Sequence, residues 1–133
     1  MNKKLVILLV AVLLVAVAAV ALFVFVLGGE KEVPFVRTEH TPGDYFVTNV
    51  KDSYNLLKVT VVLVLDTDTI TKMLTENEAT IRDTILTVLR LQDAEALKAA
   101  DLTPVKQAIR DALNEKLEIE NIIDILFYDY ALQ

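Results

Sequence analysis

A run of 23 residues, Leu5 to Leu27, contains only Leu, Val, Ile, Ala and Phe. No charged or polar residue, glycine or proline interrupts it. A helix rising about 1.5 Å per residue spans roughly 34 Å over this length, slightly more than a hydrocarbon core of about 30 Å. Backbone amides in lipid have to pair within their own segment, which dictates a helix. Leu, Val, Ile and Phe fill 18 of the 23 positions. Each favours insertion by roughly 0.3–0.6 kcal/mol near mid-membrane, so several kcal/mol accumulate with nothing opposing them. The run predicts a membrane anchor for everything that follows.

The competing reading is a cleaved signal peptide. Lys3 and Lys4 form a suitable head, and Ala16-Val17-Ala18 or Ala19-Val20-Ala21 has the small-residue form of a cleavage site. The apolar region of a signal peptide is about 7–15 residues, however, and here it continues through Leu22-Phe23-Val24-Phe25-Val26-Leu27 beyond both positions. A retained anchor is the reading adopted. Lys3 and Lys4 precede the run, whereas Glu30, Lys31 and Glu32 follow it. The bias of cations toward the cytoplasmic flank then places the N-terminus inside and the following domain outside the cytoplasm. The run has no Asp, Glu, Arg, His or Asn, the groups that proton relays and ion paths need. Nor are two small residues spaced four apart, so no close-packed helix dimer is signalled.

Beyond Leu27 the 133-residue chain retains 106 residues, Gly28 to Gln133, enough for one domain with a modest core. Lys3 and Lys4 account for two of the 13 Lys and Arg, leaving 11 against 19 Asp and Glu, a net charge of −8. Such a domain is a poor binder of nucleic acid or anionic lipid. With no cysteine, disulfide and thiolate chemistry are excluded.

The organisation expected is a head and anchor at 1–27, a linker at 28–43 and a domain at 44–133. Gly28-Gly29, Pro34 and Pro42 mark the linker. Val33, Phe35 and Val36 are apolar residues within it, suiting either a stem against the domain or a docking segment ordered by another membrane protein. Tyr45 to Val50 reads as a strand, and Lys51-Asp52-Ser53 as a turn. Asn55 to Leu65 is the strongest strand. Leu57, Val59, Val61, Leu63 and Leu65 make one face, while the other runs from Lys58 and Thr60 to Val62 and Val64.

Asp66-Thr67-Asp68-Thr69 supplies N-cap residue types ahead of one long amphipathic helix, about Thr69 to Leu91, with Arg82 and Asp83 on its polar side. Asp93 to Ala100 favours a short second helix. Thr103-Pro104 reads as a cap opening a third, with Val105, Ala108, Ile109, Ala112, Leu113 and Leu117 inward. Ile122 to Leu132, broken by Asp124 and Asp129, reads as the last strand. Helices on one face of a small sheet define an α+β domain.

No constellation for catalysis emerges. His40, the one histidine, sits in the linker beside Glu39 without a nucleophile and reads as a solvated loop residue. Asp66-x-Asp68 lacks the further oxygens and the glycine of a hard-cation loop, so helix capping is the better reading. Asp111, Glu115, Glu118, Glu120 and Asp124 form a solvated face, which could alternatively steer a basic partner. No phosphate cradle, zinc pattern or nucleophile elbow is present, so neither enzyme activity nor a cofactor or metal is expected.

Four stretches carry a resemblance. They are Leu57-Lys58-Val59-Thr60-Val61-Val62-Leu63-Val64-Leu65, Ile81-Arg82-Asp83-Thr84-Ile85-Leu86, Ile109-Arg110-Asp111-Ala112-Leu113-Asn114-Glu115-Lys116-Leu117 and Ile125-Leu126-Phe127-Tyr128-Asp129-Tyr130-Ala131-Leu132-Gln133. In that order and spacing, the chain from about Leu57 onward resembles the FliL family of flagellar basal-body-associated proteins. That family often has a glycine between the last helix and last strand. Glu118-Ile119-Glu120-Asn121 has none, so Asn121 is expected to take the left-handed turn.

The resemblance implies a single-pass protein of the bacterial cell membrane whose domain is similar to the stomatin-type (SPFH-like) fold. It implies a homo-oligomeric ring around the ion-driven stator units, supporting torque, motility, swarming and chemotaxis. A membrane-anchored stomatin-like scaffold or chaperone unrelated to motility is the alternative. The expected partners are the bilayer, further copies of the chain and stator membrane proteins. Val33, Phe35, Val36, Tyr45 and Phe46 are the expected stator contacts, and Arg82 and Asp83 the expected contacts between copies.

Overall fold

The computed structural model describes residues 2–29 and 35–133. It divides into two units, 1–34 and 35–133. In the first, helix α1 (Lys3–Leu27) buries no side chain. It is closed by the Gly28 amide donating to the Val24 carbonyl at 2.7 Å. It is long and apolar enough to cross a membrane.

The second unit is a mixed α+β domain. Its sheet contains β1 (Thr38–His40), β2 (Phe46–Asn49), β3 (Leu56–Leu65) and β4 (Ile122–Leu132), all antiparallel to their neighbours. β3 is the middle strand. β4 pairs along its whole length from Leu57↔Leu132 to Leu65↔Ile122. Against the other edge, β1 covers Leu63–Leu65 and β2 covers Leu56–Val59, so the two form one strand interrupted by a loop. Leu57, Val59, Val61, Leu63 and Leu65 are fully buried on the helix side, and Val62 and Val64 on the other, while Lys58 stays exposed. A strand with five core residues on one face and an apolar end on the other can only be central.

Helices α2 (Thr71–Glu76), α3 (Glu78–Arg90), α4 (Ala94–Lys98) and α5 (Thr103–Leu117) follow β3. Ile81, Ile85 and Leu89 of α3 and Val105, Ile109 and Leu113 of α5 join the core face of β3 in one cluster. Their three- and four-residue spacing is what puts them on one stripe.

Five features differ from the sequence reading. The linker expected at 28–43 contains β1, because extended Thr38–His40 supplies the pairing that the end of β3 otherwise lacks on that edge. The single helix expected over 69–91 is broken at Asn77, which has φ −105° and ψ 19°. There the Asn77 Nδ2 donates to the Met73 carbonyl at 2.8 Å, competing with the regular ladder. The Asp66–Thr69 stretch does not cap the helix: α2 begins at Thr71, and its N-cap is Ile70, which makes no side-chain cap hydrogen bond. Thr103 lies inside α5, and its amide donates to Asp101 Oδ1 at 2.9 Å. Hydrogen bonds from the Thr103 side chain and amide hold the Asp101 carboxyl below its ordinary range. Finally, the left-handed turn falls on Glu118 (φ 55°), not Asn121. Asn121 is occupied instead by donating from Nδ2 to Asp66 Oδ1 at 2.9 Å.

β4 is bent by two irregularities, between Val64 and Leu65 and between Lys58 and Thr60 of its partner. The second contains Asp129 at φ 51°. An extra residue restores the side-chain phase across a bulge. Phe127 and Tyr130, three apart, therefore both reach the core and stack with centroids 5.9 Å apart.

Candidate functional site

The side chains expected to make contacts separate into an internal set and an exposed set. Arg82 is internal. Its Nη1 donates to the carbonyls of Pro42 (2.7 Å) and Asp44 (3.1 Å), and its Nη2 to that of Tyr45 (3.1 Å). The guanidinium also lies 4.2 Å from the Phe46 ring centroid. A planar fork with several fixed donors suits this role, which a lysine could not reproduce. Arg82 thus pins the loop between β1 and β2 instead of presenting its charge outward. Gly43 is required at this place. It has φ +71°, and a Cβ there would stand 2.6 Å from Glu78 Oε1 and 2.8 Å from Arg82 Nη1.

Phe46 corrects the sequence reading more sharply. At 1 % exposure it belongs to the core, because β2 alternation turns Phe46 and Thr48 inward. It offers no surface to a partner while the domain stays folded. Tyr45 points the other way and is 47 % exposed, with Lys58 Nζ 4.4 Å from its ring centroid. Phe35 and Val36 are 69 % and 40 % exposed. Val33 lies outside the described residues. Asp83, one position from Arg82 and about 100° around α3, is exposed.

The sheet face away from the helices is uncovered by other described elements over part of its area. Val47, Leu56 and Tyr128 are exposed there beside Tyr45 and Lys58. Sequence reasoning named Tyr45 alone of this apolar set. The signal was in the register: Val47 pairs with Lys58 and Tyr128 with Thr60, the two residues that mark the polar start of that face.

His40 is not in a solvated loop. It pairs with Leu63, which places its ring on the helix side, and its Nε2 is enclosed without a hydrogen-bond partner. Burial lowers its pKa below the ordinary 6.5, opposed by the Glu78 carboxylate. Tyr130, whose hydroxyl donates to the Leu97 carbonyl at 2.6 Å, has its pKa raised by burial. Asp66 and Asp68 join no cluster suited to a metal ion among the described residues. The only ion pair among the described residues of the α5 acidic stretch joins Asp111 to Arg110 at 3.0 Å.

The domain presents exposed aromatic and apolar side chains beside a loop clamped by Arg82. The family model described as flagellar basal body-associated protein FliL matches residues 41–133. No curated protein matches the chain.

Proposed function

Because the chain belongs to the FliL family of flagellar basal body-associated proteins, we propose that it is a single-pass accessory protein of the flagellar motor that assembles around the stator units and supports torque. The match over residues 41–133 carries the reading. FliL is an accessory family and not a known enzyme family. In this proposal α1 is the membrane anchor, with the N-terminus in the cytoplasm and the sheet domain outside. Its lack of ion-path groups suits an anchor standing beside a conducting partner. The domain acts by binding alone, as one copy of a ring of stomatin-like domains. A ring needs two different surfaces on each copy, and the sheet offers two different edges, β1–β2 and β4.

Stator contact is assigned to Phe35, Val36 and Tyr45, with Val33 beside them in sequence. These are the exposed members of the apolar set nearest the anchor along the chain. Contact between copies includes Asp83. Arg82 contributes there indirectly by holding its loop. The test is single-particle imaging of the full-length chain in mild detergent together with whatever co-elutes. A closed ring enclosing stator subunits is the expected result, and a monodisperse monomer without partners would overturn the proposal. Phe35→Asp is expected to reduce stator co-purification while leaving the domain folded, since Phe35 is 69 % exposed.

A further inference from the structure

We propose that β1 is a pH-operated latch, in which protonation of His40 unseats Thr38–His40 from the edge of β3. Unseating leaves Leu63–Leu65 of β3 without a partner strand on that edge. The inference is independent of the flagellar reading.

β1 is short. Three pairs hold it, Thr38↔Leu65, Glu39↔Val64 and His40↔Leu63, and just ahead of it the Val36 amide donates to the Asp66 carbonyl at 3.3 Å. Alternation puts Thr38 and His40 on the helix side, where Leu63 and Leu65 are fully buried. Among the described residues, His40 Nε2 is the one enclosed side-chain nitrogen or oxygen without a hydrogen-bond partner. A neutral imidazole tolerates this at a modest cost, because an unprotonated ring nitrogen needs no acceptor. A proton placed on Nε2 would create an enclosed N–H, carrying charge, with no acceptor to receive it.

The charges facing the ring are few. The Glu78 carboxylate, from the start of α3, favours the protonated form. Arg82 also lies beside Gly43 and is committed to the loop carbonyls. β3 contributes only Leu63, Val64 and Leu65. Arg37 and Glu39 lie on the opposite face and pair with each other at 4.0 Å. Burial outweighs Glu78, and the ring's affinity for a proton is reduced when seated.

The direction follows from linkage. The released strand binds a proton with the ordinary pKa of 6.5, and the seated strand binds it less readily. Seating is therefore at full strength above pH 6.5 and weakens as pH falls below it. Release frees Thr38–His40 and leaves the edge of β3 at Leu63–Leu65 unpaired.

The test uses the full-length chain in mild detergent. Because His40 is the only histidine, its ring protons give a single unambiguous NMR titration. In parallel, hydrogen exchange of the segment spanning Thr38–His40 is followed by mass spectrometry between about pH 7.5 and about pH 5, corrected for intrinsic exchange. The expected result is a midpoint below 6.5, with loss of protection in that segment while the β3–β4 pairs stay protected. The limiting fold-loss equals the ratio of the proton dissociation constants of the seated and released forms. His40→Leu is expected to abolish the pH dependence, and Glu78→Gln to move the midpoint lower. A midpoint at or above 6.5 overturns the proposal, as does protection that does not change with pH. Should His40→Leu fail to seat β1, the wild-type titration and exchange still decide.

Discussion

Replacing Arg82 by Met keeps most of the aliphatic stem and removes the fork that ties α3 to the loop ahead of β2. The size of the effect follows from the interactions that the guanidinium makes. One of its three hydrogen bonds, to the Pro42 carbonyl at 2.7 Å, is partly buried. A hydrogen bond to a charged group contributes about 1.5–3 kcal/mol in such a setting. The bonds to Asp44 and Tyr45 are exposed, and water replaces the guanidinium there, so each adds well under about 1 kcal/mol. The cation–π interaction with Phe46 at 4.2 Å adds about 0.5–1 kcal/mol. Arg82→Met is therefore expected to cost about 2–4 kcal/mol, or roughly 10–30 °C in Tm for a domain of this size.

The assay is urea unfolding of the full-length chain in mild detergent. It is followed by the near-UV signal of its four tyrosines, because α1 dominates any helical signal that persists. A lysine carries the charge without the fork, so Arg82→Lys should recover only a minor part of the loss. A loss below about 0.5 kcal/mol, or full recovery in Arg82→Lys, would refute the clamp. The result also decides how assembly variants are read. If the clamp is real, Arg82→Glu breaks a loop before it breaks any ring, whereas Asp83→Arg changes stability by less than about 0.5 kcal/mol and tests the surface cleanly.

Three further outcomes follow from single backbone and side-chain features. Glu118→Gly should stabilise the domain by about 0.5–1 kcal/mol in the same urea assay, since a left-handed C-cap at φ 55° strains a residue with a Cβ. Asn114→Ala should cost about 1–3 kcal/mol, because the amide both donates to the Ile122 carbonyl (2.9 Å) and accepts from its N–H (3.2 Å), where β4 begins. Asp129→Val should cost about 1–2 kcal/mol and weaken the near-UV tyrosine signal. A β-branched residue resists φ 51°, and losing the bulge would put Phe127 and Tyr130 on opposite faces.

Periodicity made the frame legible. The alternation from Leu57 to Leu65 marked the strongest strand, and its apolar far end is buried on both faces. The three- and four-residue spacing of Ile81, Ile85 and Leu89, and of Val105, Ile109 and Leu113, identified two helices and their inward stripes. What was not legible is what polar residues touch across long separations. Arg82 sits on the polar side of α3 by pattern, and nothing local shows that its acceptors lie 37–40 residues upstream. His40 failed for the same reason. Three residues with no hydrophobic pattern became a strand because the edge of β3 needed pairing, and the half-buried histidine had its Nε2 enclosed with them.

The tail from Ile125 to Gln133, which carries much of the family resemblance, shows what kind of information such a pattern holds. Read as a regular strand, Phe127 and Tyr130 would face opposite ways. The extra residue Asp129 brings them together, and the earlier irregularity does the same for Ile122 and Ile125. Asp129 in the run and Asp124 just before it both stay exposed. The pattern therefore encodes a doubly bent strand with one buried face, and the bends also make its open edge a poor template for indiscriminate pairing. The residues that identify the family here are fold residues. Phe35, Val36, Tyr45 and Asp83 are exposed outside that buried face, so substitutions there are expected to leave the fold intact.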